Sequence, residues 1–280
     1  MSSFQRTIKY IAVAFAVMLA VTIISGIAST AYMFIQAFSD HDNSKSKATV
    51  DYSESFTGVK KINIENSSGN LIIKTGDQFL VEAENVSEDF NAKLNAGGTL
   101  TITDRREFEF LWFNVNGFHN PNSKITVYLP SDFIAQETEL STGAGTVTVE
   151  NLNTERLIIS AGAGNVNGSG LTAERVIIDG GVGNIDLQDV NFSDADIDCG
   201  VGNLTIDGIL LGKTKIDCGV GSVALDLQGH INDYDLEVDS GMGTIRLNGE
   251  KILDDYETDN NADNRIKIDG GMGNVTINIK

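Results

Sequence analysis

Residues 161–227 read AGAGNVNGSGLTAERVIIDGGVGNIDLQDVNFSDADIDCGVGNLTIDGILLGKTKIDCGVGSVALDL. A Gly-x-Gly triplet recurs in this stretch, beginning at Gly162, Gly181, Gly200 and Gly219, each 19 residues after the last. Working outward, further copies begin at Gly143, Gly241 and Gly271. The glycine pairs are therefore Gly143 and Gly145, Gly162 and Gly164, Gly181 and Gly183, Gly200 and Gly202, Gly219 and Gly221, Gly241 and Gly243, and Gly271 and Gly273. A fixed period of this length marks a solenoid, in which each repeat covers the apolar face of the next.

Each copy has one grammar, visible in DADIDCGVGNLTIDG (194–208): an alternating strand, a small residue, Gly-x-Gly, a polar residue and a second alternating strand. Alternation with β-branched residues predicts strands with one buried face. The glycines suit a corner that needs positive φ or close backbone approach. Aligned copies give three columns expected to point inward. The first is Ile159, Ile178, Ile197, Ile216, Val238 and Ile268. The second is Val147, Val166, Ile185, Leu204, Val223, Ile245 and Val275. The third is the residue between the glycines: Ala144, Ala163, Val182, Val201, Val220, Met242 and Met272. Coils stacked about 4.8 Å apart give a rod roughly 30 Å long. The fold class read from this pattern is all-β, a parallel β-helix or β-solenoid with coils of about 19 residues.

The regular solenoid occupies residues 141–280. Residues 56–140 form a less regular N-terminal β section, with SGNLII, GGTLTITD and KITVYLP as strands. The segment NGEKILDDYETDNNADN reads as an acidic surface loop. The final strand, NVTINIK, reads as an uncovered edge through which the chain could self-associate.

The N-terminus is different. Residues 11–38, IAVAFAVMLAVTIISGIASTAYMFIQAF, carry no charge, and a helix needs ~20 apolar residues to cross a bilayer. Arg6 and Lys9 precede the run, which favours a cytoplasmic N-terminus and an exported remainder. Residues 1–39 are thus read as arm and transmembrane anchor, with 40–55 as a stalk. A cleaved signal peptide is the alternative. Two of the 39 acidic and four of the 20 basic residues precede residue 51, which leaves 37 against 16, a net charge of −21 beyond it. Such a surface repels phosphate backbones, so nucleic acid is excluded as a partner.

The SGNLII strand, KITVYLP and the repeated Gly-x-Gly-[Asn/Ser/Thr] strands resemble the bacterial putative adhesin family of β-strand-repeat envelope proteins over about residues 56–280. The resemblance implies a β-helix, an envelope location, and a role in adhesion or envelope stress. It brings no catalytic residues.

Several constellations merit a chemical reading. Asp179, Asp198, Asp217, Asp239 and Asp269 share one repeat position, and stacked carboxylates of this kind attract Ca²⁺ or simply face water. The solvated row is the favoured reading. The Ca²⁺-binding nonapeptide GGxGxDxUx is not met, because Ile185 and Leu204 stand where its Asp belongs. Asn165, Asn184, Asn203 and Asn274, with Thr146, Ser222 and Thr244 replacing them, form a column read as a hydrogen-bonded ladder. Cys199 and Cys218 should be neighbours in adjacent coils, as a disulfide or as stacked thiols. Other copies place Ala, Gly, Ser or Thr in that slot, which favours thiols packed as small residues. Phe108, Phe110, Trp112, Phe113 and Phe118 either fill the N-terminal core or contact a partner.

Catalytic machinery is not visible: His41, His119 and His230 fall in the stalk and apparent loops, and no nucleophile elbow or phosphate loop occurs. The chain is therefore read as no enzyme, with no cofactor. Its expected role is a membrane-anchored extracytoplasmic binding, adhesin-like or scaffold module, contacting an envelope protein or glycan surface. Two alternatives stand beside it: a sensor of envelope stress or cationic peptides, and a carbohydrate-active β-helix using the acidic column with Lys213, Lys215 or Arg246.

Overall fold

The structure is a computed structural model, and it describes residues 49–104, 107–110, 113–116, 122–253 and 255–280, with the backbone alone for 107–116. The anchor expected at 11–38 and most of the stalk lie outside these residues. Among the described residues, no helix is long and apolar enough to cross a membrane. Ala48–Lys280 forms one compact unit.

Among the described residues that unit is all-β, with a single short 3₁₀ turn at Ile231–Asp233. Successive repeats pair in parallel with a register of one repeat: Ile159 lies within Asn153–Val182, beside Leu140 in Glu137–Glu150, and Ile178 pairs with Ile197. The two aliphatic columns containing Ile197 and Leu204 are buried along the whole stack. Leu187, Ile206, Leu225 and Ile277 extend the interior along the second strand of each rung, and Val190, Phe192 and Leu210 continue it beyond the next bend. A repeat alone would leave these faces wet; stacked, they form one continuous core.

The third expected column is corrected. Val182, Val201, Val220 and Met242 are 57%, 42%, 38% and 51% exposed. They do lie on one another across rungs, Val182 beside Val201 and Val201 beside Val220, but on the outside. Alternation stops at the corner. Cys199 points in, the next inward residue is Leu204, and the four residues between them stay on the surface. Gly202, at φ +150°, makes this bend without leaving the ladder.

Rung order departs from chain order at both ends. Lys213–Val220 and Val223–Leu227 pair with Asn264–Asp269 and Val275–Ile279, the last strands of the chain. Those strands pair on their other side with Tyr234–Asp239 and Ile245–Leu247. The final strand is therefore interior, and the expectation of an open edge there is overturned. The outermost rung is sealed by the segment read as a loop. Glu250–Ile252 folds back on Ile245–Leu247 through a two-residue Asn248-Gly249 turn, both residues at positive φ, and Tyr256–Glu257 pairs antiparallel with Tyr234–Asp239.

The other end repeats the device. Lys61–Ser68 lies between Glu137–Glu150 and Thr99–Asp104, so the rung 61–76 is inside the rung 99–130. Antiparallel strands Leu80–Ser87 and Asn91–Leu94 cover that outer rung, and Thr49–Ser55 follows Leu80–Ser87. Phe108, Phe110 and Phe113 fall in a separate two-stranded ribbon, Glu107–Phe110 with Phe113–Asn116. Trp112 and Phe118, and the surroundings of all five rings, lie outside the described residues.

Candidate binding surface

The corner creates the most regular surface of the molecule. Along it run, in stacking order, Ala144, Ala163, Val182, Val201, Val220, Met272 and Met242. The glycines on either side exist because nothing else fits. A Cβ on Gly202 would meet the carbonyl oxygen of Gly183 at 1.7 Å, and one on Gly221 would meet that of Gly202 at 1.6 Å. At the first glycine the same approach is looser, 2.5 Å from Gly200 to the carbonyl oxygen of Gly181. The result is an exposed apolar ridge with bare backbone on both flanks.

On one side of the ridge stands the acidic row. Its order is Asp179, Asp198, Asp217, Asp269 and Asp239, each carboxylate on its own rung and each exposed. Partial burial raises the Asp198 pKa most; Lys215 pulls it back, while Asp196, Asp217 and Asp179 push it up. The carboxylates form a line, and among the described residues no three His, Cys, Asp or Glu side chains converge as a metal site would require.

Beside this row, toward the start of each strand, are four cations on two neighbouring rungs: Lys213 beside Arg265, and Lys215 beside Lys267. Acids flank them on the adjoining rungs. Lys215 reaches Asp196 at 4.0 Å, Arg265 reaches Asp235 at 3.8 Å, and Lys267 pairs closely with Glu237. Sequence reasoning named Lys213 and Lys215 but missed Arg265 and Lys267, which come from a repeat placed next to them only by the exchanged rung order. Arg246 lies on the other side of the ridge, beside Lys251 and Thr276.

Beyond the ridge, the polar column is a ladder. The side-chain oxygen of Asn165 accepts from the backbone N–H of Asn184 at 3.0 Å, that of Asn184 from Asn203 at 3.0 Å, and that of Asn203 from Ser222 at 3.0 Å. Asn274 accepts from Thr244 at 3.2 Å. The oxygen is thus committed to the next rung, and the Asn203 N–H₂ also donates along the ladder, to the Asn184 oxygen at 3.3 Å.

Beneath the ridge, Cys199 and Cys218 are joined as a disulfide, with Cα atoms 4.6 Å apart and both residues buried. This corrects the preference for free thiols. In-register stacking brings the two Sγ atoms into bonding range, so a slot suited to any small residue also suits a cystine. The inward slot turns polar toward the N-terminal end, where Thr142, Asn66 and Asp104 are stacked and buried. A shallow concavity of about 360 Å³ lies elsewhere, lined by Ile209, Leu211, Asn232, Asp233, Tyr234 and Asp263.

A family model described as Toastrack DUF4097 matches residues 59–254, more than half of the chain. No curated protein matches. Solved structures similar to the chain include a "putative cell adhesion protein" from Clostridium sporogenes, 16% identical, covering 83% of this chain and 100% of that one at a TM-score of 0.37. Two others are a "putative adhesin" from Bacteroides fragilis, 16% identical over 84% and 98% at 0.42, and one from Parabacteroides distasonis, 12% identical over 84% and 98% at 0.36.

Proposed function

The chain belongs to the Toastrack DUF4097 family, and from that premise we propose that it is a non-catalytic, adhesin-like binding module held on the outer face of a bacterial membrane by residues 11–38. The observation behind this reading is the ridge. Val182, Val201, Val220 and Met242 are apolar, exposed and aligned, although a folded β-sheet gains nothing from leaving them in water. The charged side chains nearby pair with one another and do not converge on a cleft. A buried disulfide belongs to an oxidising compartment, which accords with an extracytoplasmic location.

The test replaces Val182→Lys, Val201→Lys and Val220→Lys together in the full chain, expressed on its native membrane. These side chains are exposed, so the melting temperature should stay close to the parent value. Adherence of the cells to envelope material should be lost. Unchanged adherence would remove the ridge as the binding surface.

A further inference from the structure

Resting on the reading of the ridge as a binding surface, we infer that its occupant is a second copy of this chain, lying parallel, with the acidic row of each copy against the amide and hydroxyl row of the other.

The argument begins with the two flanks. On each rung an acid and a hydrogen-bond donor stand five residues apart, on opposite sides of the ridge: Asp179 and Asn184, Asp198 and Asn203, Asp217 and Ser222, Asp269 and Asn274, Asp239 and Thr244. The rule holds for every rung that carries the acid. The donors are also prepared. The ladder occupies the Asn oxygens; the Asn203 amide gives one N–H to the Asn184 oxygen and keeps its second for an acceptor outside the copy.

A two-fold axis along the ridge brings Val201 onto Val201 of the second copy. It sets Asp198 opposite the second copy's Asn203, and the same match recurs on the other four rungs. A two-fold axis across the ridge makes the copies antiparallel and sets carboxylates against carboxylates. Like charges facing across an interface oppose association, so the rows select the parallel arrangement. Isologous contact is also the commonest way identical chains pair.

The area is sufficient. Seven ridge positions span ~30 Å, and the six residues from Asp198 to Asn203 span at most ~16 Å around the corner. The contact then buries on the order of 1,000 Å² over both copies, at the lower bound for a specific interface. Two copies anchored in one membrane would also meet at a raised effective concentration.

The experiment uses the full chain in native membranes, with a short bismaleimide linker; the buried Cys199–Cys218 disulfide cannot react with it. Single variants Val182→Cys, Val201→Cys and Val220→Cys should each give a cross-linked dimer, because a parallel axis brings every ridge position onto itself. Asp198→Cys should cross-link when co-expressed with Asn203→Cys and fail when expressed alone. Asp198→Cys cross-linking to itself would overturn the parallel arrangement. Absence of cross-linking at Val201→Cys would overturn the second copy as occupant. In that case, loss of adherence in the triple lysine variant would keep the ridge as a binding surface for another partner, and unchanged adherence would end both ideas.

Discussion

At the scale of single residues, the second glycine of each pair carries the strictest constraint. Gly202 sits at φ +150°, with the carbonyl oxygen of Gly183 where its Cβ would be. Gly202→Ala must therefore move two backbones apart, and we expect it to cost roughly 3–5 kcal/mol, read as a shift in the denaturation midpoint. Gly249→Ala is the contrast. Its φ is +85°, yet nothing lies within 4 Å of the added methyl, so the expected cost is only the ~1–2 kcal/mol of left-handed backbone. Equal effects at the two sites would contradict the close-approach account. The glycine columns were plain in the sequence because their 19-residue spacing repeats. The orientation of Val201 was not: an apolar side chain at a corner looks the same on paper whether it faces the core or water, and the two neighbouring glycines erase the alternation that would have told them apart.

At the scale of the element, the acidic row is a property of stacking. The five carboxylates come together because parallel rungs repeat in register, and their mutual repulsion is part of what that register costs. Asp198 has a raised pKa, through burial first and its acidic neighbours after. A carboxyl with a raised folded-state value holds its proton to higher pH when folded than when unfolded. It therefore opposes folding increasingly as pH climbs from its ordinary value of 3.8 through the raised one. Asp198→Asn should raise the melting temperature at neutral pH and leave it nearly unchanged below the ordinary aspartate value. A variant less stable than the parent at neutral pH would mean that the Lys215 contact outweighs the repulsion. The row and the Asn ladder were both legible as columns. The cation cluster was not, because Arg265 and Lys267 reach Lys213 and Lys215 only through a non-consecutive pairing.

For the whole molecule, the decisive feature is the exchange of rungs. Nothing local announces it, since LEVD and IKID follow the same strand pattern and either could stack on TKID. The intervals of 22 and 30 residues at the last copies were the available hint: they supply enough linker to skip a layer and come back. Removing residues 275–280 tests the arrangement. Val275, Ile277 and Ile279 are buried between two other rungs, so the truncation should destabilise the whole C-terminal half and open it to protease. Trimming confined to the last strand, with the 234–247 rung still protected, would mean that the layers stack in chain order. The same exchange makes two layers depend on one insertion. A chain that keeps residues 234–257 but lacks 264–279 carries an empty berth between two finished layers, with both raw margins of that berth open to any passing strand. Only the docking of Asn264–Asp269 and Val275–Ile279 closes the seam, so two layers made earlier in the chain are held together by strands made after both.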